Sequence, residues 1–165
     1  MGLFDKLFGK KEEINPNHIY APMAGEAVAI SQVPDPTFAE GLLGNGIAIQ
    51  PTDGKVYAPV NGTVDTMFDT GHAVSLVSDN GIEILIHVGL ETVGLNGAPF
   101  QVKVKSGQKV KKGDLLMIAD LEAIKAAGLP TITPVLVCNS DDYTTFNVST
   151  GKAVTNADVA IEVGK

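Results

Sequence analysis

Apolar residues occur along the chain in short runs of three to seven, broken by glycine, proline, asparagine and aspartate. From Ile14 onward this rhythm predicts short β-strands and tight turns. The strongest unit spans 68–93, where two β-branched runs flank Ser78-Asp79-Asn80-Gly81 and read as a β-hairpin. With Asp79-Asn80 as a two-residue loop, His72 lies directly opposite His87; with Asn80-Gly81, the two are diagonal neighbours. Both registers put the histidines on one face, because strand side chains alternate with period two. Directly opposed residues have Cβ atoms roughly 4.5–5.5 Å apart. A three-residue loop would put them on opposite faces. The same parity sends Ile82, Ile84, Ile86 and Val88 to the core with Ala73, Ser75 and Val77. Glu83, Leu85 and His87 then point away from it, with His72, Val74 and Leu76.

Elsewhere the pattern predicts strands over 132–139 and 159–163, and another at Leu115–Ala119. Asp120 caps a short helix through Ala127, stopped by Gly128 and Pro130. Pro34-Asp35-Pro36 forces an extended loop just before Phe38. Segment 139–148 carries no assignable pattern. Residues 21–28 recur weakly as 58–64, which suggests two similar β-units packed together. Within 1–13, Leu3, Phe4, Leu7 and Phe8 fall at helical spacing beside lysines; a membrane-surface helix and a frayed tail are the two readings. Residues 14–165 are then expected to form one domain, long enough to bury its own core.

Composition narrows the class. Hydrophobic residues make up 44% and charged residues 19%, a globular balance, and 18 glycines with 9 prolines suit a turn-rich all-β protein. A net charge of −7 argues against a nucleic-acid surface and favours a basic protein partner. Five lysines between 103 and 112 read as a solvated hairpin face. The single cysteine, Cys138, cannot staple the fold and is expected in a buried strand after Val135-Leu136-Val137. No secretory signal or membrane span is expected, so the expected location is the cytoplasm.

The chemistry centres on the two histidines. A neutral imidazole is a nucleophile near pH 7, and a neighbouring imidazole can donate an N–H to an arriving anion. That combination suits a phosphoryl group held on nitrogen. Thr70, two residues before His72, is placed to bond the second nitrogen of His72 and fix its tautomer.

These residues resemble a known family, the glucose-type enzyme IIA of the bacterial phosphoenolpyruvate-dependent sugar phosphotransferase system. The resemblance runs from about Ile19 to the C-terminus. It rests on Ala21-Pro22-Met23-Ala24-Gly25-Glu26, residues 33–40, Gly46-Ile47-Ala48-Ile49-Gln50-Pro51, Ala58-Pro59-Val60-Asn61-Gly62, Thr70-Gly71-His72-Ala73, residues 87–93 and Thr131-Ile132-Thr133-Pro134-Val135. It implies an antiparallel β-sandwich in which His87 carries phosphate, His72 assists and Thr70 orients the helper. Phe38, Phe68 and Val93 match apolar residues ringing the site, and Asp35 and Glu91 match acidic positions near the incoming carrier. At Glu91 and Val88 the chain departs from the best-known member, which has Asp and Phe there; the acidic charge is kept. The implied reaction passes phosphate from the phosphohistidine of HPr to His87 and on to a cysteine of an enzyme IIB domain, with no cofactor and no metal.

Two rivals come from other classes. The run 107–125 also looks like the approach to the modified lysine of a biotinyl or lipoyl domain, here Lys125. Such domains are about half this length, and Ile124 and Ala126 stand where methionines usually flank that lysine. A zinc peptidase is the other, since two histidines begin a metal site. Catalytic zinc usually wants three protein ligands, and His18, near the chain start, reads as an exposed strand residue.

Overall fold

A computed structural model describes residues 14–165 of the chain. The readings made for the tail at 1–13 lie outside the described residues. The large sheet has eight strands, all paired antiparallel. Its first half holds β2 (Gly25–Ala29), β3 (Asn45–Pro51), β11 (Thr133–Val137) and β13 (Lys152–Val154). The second half holds β5 (Gly62–Met67), β6 (Ala73–Ser78), β7 (Glu83–His87) and β9 (Lys109–Val110). Their order is β13-β2-β3-β11-β7-β6-β5-β9. Among the described residues, two three-stranded antiparallel sheets accompany it. One combines β1 (His18–Tyr20), β14 (Val159–Gly164) and β12 (Thr145–Val148). The other combines β4 (Lys55–Tyr57), β10 (Leu115–Ala119) and β8 (Phe100–Val102).

The core lies between the large sheet and the small ones. Ile47, Ile49, Leu76, Ile84 and Ile86 from the former meet Ile19, Ile161, Leu116 and Met117 from the latter, all essentially buried. This is the expected antiparallel β-sandwich. A second, smaller cluster occupies the opposite face of the large sheet: Ala48, Leu136 and Leu90 beneath Val33 and Phe38. Because β11 is covered on both sides there, Val135, Leu136 and Val137 are all buried. Cys138, one residue past the strand, is exposed, which corrects its expected burial. Its N–H still bonds the Glu83 carbonyl at 2.7 Å, so the backbone stays paired while the side chain turns to solvent.

The repeat between 21–28 and 58–64 has a counterpart in this order. β2 and β5 each stand second from an edge, each paired with the strand that follows it in the chain. The expected short helix is present as α2 (Leu121–Ala126), where the Asp120 side chain accepts from the Ala123 N–H at 3.0 Å. Gly128 follows at φ 80°, a left-handed conformation suited to a helix end. The unassigned 139–148 segment supplies a short turn at Ser140–Asp142 and then β12. His18 pairs across to Glu162, Nε2 to Oε2 3.1 Å, and is half-buried. Of the five clustered lysines, Lys109 meets Asp79 at 3.0 Å and Lys112 lies 4.3 Å above the Tyr20 ring; the other three are exposed.

The hairpin departs from both two-residue loops. Ala73 pairs with His87, Val74 with Ile86 and Leu76 with Ile84, so the loop is the three residues Asp79-Asn80-Gly81. Gly81 sits at φ 95°, and the Ser78 hydroxyl accepts from the Ile82 N–H while donating to Asn80 Oδ1 at 2.7 Å. A glycine in that left-handed third position is what a three-residue hairpin loop requires. Sliding by one residue reverses one strand's faces. Val74 and Leu76 are therefore core residues, while Ser75 and Val77 are half-exposed; Ile82, Ile84, Ile86 and Val88 are buried as expected.

Candidate functional site

Strand alternation alone would now separate the histidines. They meet because His72 is not in β6 at all. Phe68–Gly71 forms a turn closed by Gly71 N–H to the Phe68 carbonyl at 2.8 Å, with Gly71 at φ 72°. A side chain at Gly71 would strike Phe100 and Val102, so the turn needs glycine for space as well as for conformation. The turn swings His72 round the end of the sheet toward His87, the last residue of β7. The His72 carbonyl accepts from the Val88 N–H at 2.8 Å, tying the two histidine segments together. The rings stand edge to face, with centroids 5.0 Å apart and planes at 79°.

Each imidazole has one nitrogen engaged. Nδ1 of His87 lies 2.8 Å from the Gly89 carbonyl oxygen, which can only accept. That nitrogen therefore carries the proton, and Nε2 presents a lone pair. Nδ1 of His72 lies 2.6 Å from Thr70 Oγ1. Phe38 packs against His87 with centroids 5.0 Å apart, and Phe68 meets His72 edge-on at 5.4 Å.

Both rings are held neutral at pH 7. Burial, helped by the neighbouring His87, pushes the His72 pKa down to about 4. Burial lowers that of His87 too, opposed in part by the Gly89 carbonyl and by the charges of Asp35 and Glu91. Asp35 is fixed as the N-cap of α1 (Pro36–Ala39): its carboxylate accepts from the Thr37 N–H at 3.0 Å, with Pro36 at the first helical position. Glu91 sits at φ 62°, a left-handed conformation unusual for a residue with a side chain. Val93 follows it on the turn at Thr92–Leu95 and is 49% exposed.

The fold thus brings Thr70, His72, His87, Phe38 and Phe68 into contact, and Asp35 and Glu91 near enough to act on His87. The sequence reading passed over one neighbour, Gly89, whose carbonyl sets the His87 tautomer; a glycine two residues past the end of β7 was its only signal. Among the described residues, no group of three or more His, Cys, Asp or Glu side chains is arranged to hold a metal ion.

The β-sandwich thus sets one neutral imidazole, its Nε2 unprotonated, beside another, with an aromatic ring against each and two acidic groups near the first. The sequence profile of the phosphoenolpyruvate-dependent sugar phosphotransferase system EIIA 1 family matches residues 17–143. A glucose-specific EIIA component of Staphylococcus epidermidis is 43% identical over 160 residues, covering 96% of each chain. One from Staphylococcus aureus is 42% identical over the same share. The solved glucose permease IIA from Mycoplasma capricolum superposes with a TM-score of 0.80 at 33% identity, covering 87% of this chain and 94% of that one.

The chain belongs to the EIIA 1 family of the phosphoenolpyruvate-dependent sugar phosphotransferase system. Its activity is that of a phosphocarrier, a transferase component relaying phosphoryl groups during sugar uptake. The biotinyl or lipoyl carrier and zinc peptidase readings find no support in these matches.

Proposed function

We propose that His87 Nε2 is the phosphoryl acceptor, that HPr is the donor and that an enzyme IIB cysteine is the recipient. The observation that carries this is the 2.8 Å bond from His87 Nδ1 to the Gly89 carbonyl, which leaves Nε2 unprotonated and available. The Nε2 lone pair forms the new N–P bond as the N–P bond of phospho-HPr breaks, and that bond's electron pair returns to the donor imidazole. Onward, a cysteine thiolate attacks the same phosphorus and the pair returns to Nε2. Such transfers need in-line positioning and stabilisation of charge on the equatorial oxygens. Thr70 donates to His72 Nδ1, so His72 holds its proton on Nε2 and offers that N–H to the phosphoryl oxygens. Phe38, Phe68 and Val93 limit water at the phosphohistidine, and Asp35 and Glu91 face the basic carrier. No cofactor or metal enters the relay.

The sugar is glucose or a close analogue, the specificity borne by the names of the relatives. The domain is 14–165, the site of action is the cytoplasm, and the 1–13 segment makes any peripheral membrane contact. Among the described residues no helix is long and apolar enough to cross a membrane. The test is incorporation of label from phosphoenolpyruvate through enzyme I and HPr, with mapping of the modified residue. An acid-labile, alkali-stable phosphoramidate on His87 is expected; a label confined to His72 would reverse the two roles.

A further inference from the structure

Thr92 is completely buried, at 0% exposure. A buried hydroxyl is destabilising unless it is bonded. Here Oγ1 donates to the Val88 carbonyl at 2.6 Å, while the Val88 N–H donates to the His72 carbonyl at 2.8 Å. The methyl side of Thr92 is equally engaged. A Cβ built on Gly89 would lie 2.7 Å from Thr92 Cγ2 and 2.9 Å from the Pro130 carbonyl oxygen. Gly89 is thus held between Thr92 and Pro130, and the Leu90 N–H bonds that Pro130 oxygen at 3.2 Å.

This matters because the Gly89 carbonyl chooses the His87 tautomer. Glycine is the residue least able to hold its own peptide orientation, and Gly89 sits at φ 76° with Glu91 at φ 62° close behind. The constraint has to come from neighbours. We propose that Thr92 is a positioning residue for the phosphoryl relay, locking the Gly89 carbonyl in front of His87 Nδ1 so that the Nε2 lone pair stays free for phosphorus. The role also extends through transfer: as Nε2 bonds phosphorus, positive charge grows on the ring, and a fixed carbonyl at Nδ1–H stabilises it. The proposal rests on His87 being the acceptor, but its primary readout, the tautomer, does not.

Thr92→Val keeps the shape and removes only the hydroxyl; Thr92→Ser keeps the hydroxyl. Long-range proton–nitrogen spectra of histidine-labelled full-length protein, at a pH where both rings are neutral, report each tautomer. Wild type is expected to show His87 as Nδ1–H alone. In Thr92→Val, His87 should gain the Nε2–H form while the His72 signals stay put, and phosphoryl acceptance from phospho-HPr should slow by about tenfold or more. Thr92→Ser should restore both tautomer and rate. An unchanged His87 tautomer in Thr92→Val, or equal changes in both histidines, would overturn the proposal. If Thr92→Val does not fold, the wild-type Thr92 hydroxyl proton decides. Slow exchange with solvent supports the clamp, and free exchange removes it. A tautomer that shifts while the label maps away from His87 leaves the clamp standing and instead removes His87 from the relay.

Discussion

Thr70 Oγ1 and His72 Nδ1 lie 2.6 Å apart, the shorter of the two bonds that engage the ring nitrogens of the histidine pair. The hydroxyl pins a ring that has little room to turn, since His72 is 5% exposed and has Phe68 and His87 against it. Thr70→Val should leave the fold intact and weaken the His72 N–H as a donor. Phosphoryl transfer through His87 should slow, by less than removal of the ring itself. Single-turnover transfer from phospho-HPr measures this, and an equal or larger loss than in His72→Gln would deny Thr70 an orienting role.

His72→Gln tests the helper directly. Losing one preorganised donor to developing charge typically reduces rates by about 10²–10³. Glutamine can donate but has no Thr70-fixed ring, so the variant should still accept phosphate on His87, slowly, and pass it on poorly. His87→Ala should take no label. A His72→Ala variant that loses labelling while His87→Ala keeps it would invert the assignment.

The histidines also set a pH dependence. Both folded-state pKa values are lowered, so below the unfolded value near 6.5 the unfolded chain binds protons that the native state refuses. Stability should therefore fall as pH drops from about 6.5 toward the His72 value of about 4. His72→Gln should flatten that decline, as followed by denaturant unfolding across the window. A wild-type His72 that titrates near 6.5 by NMR would contradict the burial argument.

Asp35 and Glu91 should act on encounter more than on chemistry. Charges at a rim speed association with a basic partner, and salt screens them. Asp35→Asn preserves a capping oxygen for α1, so the double variant Asp35→Asn/Glu91→Gln tests charge rather than fold. Phosphorylation by HPr should slow most at low ionic strength. Identical rates and identical salt dependence would take both residues off the docking face.

Much of the site was legible in the sequence, though the geometry that assembles it was not. Alternation found β6 and β7, and the Asp120 to Gly128 signals found α2, because both depend on local chemistry. The turn cluster located the hairpin but left its loop length open, and a single residue there reassigns Val74 and Leu76 to the core. The histidines meet through Gly71, whose left-handed turn takes His72 out of the strand alternation. Nothing in the local pattern ties the residues bracing Gly89 to it: Thr92 stands three residues on, and Pro130 lies beyond α2. Cys138 shows the same limit, since periodicity could not say where β11 ends.

β11 is also made late. Among the described residues β11 alone links β3 to β7 in the large sheet, yet residues 88–132 separate β7 from it along the chain. While a ribosome is still delivering those residues, β7 has β6 on one side and an open edge on the other. An unpaired edge invites pairing with foreign strands, and long-range closure is the slow part of β-protein folding. The strand that carries His87 is therefore open to misassembly from the time it is made until Thr133–Val137 emerges to cover it.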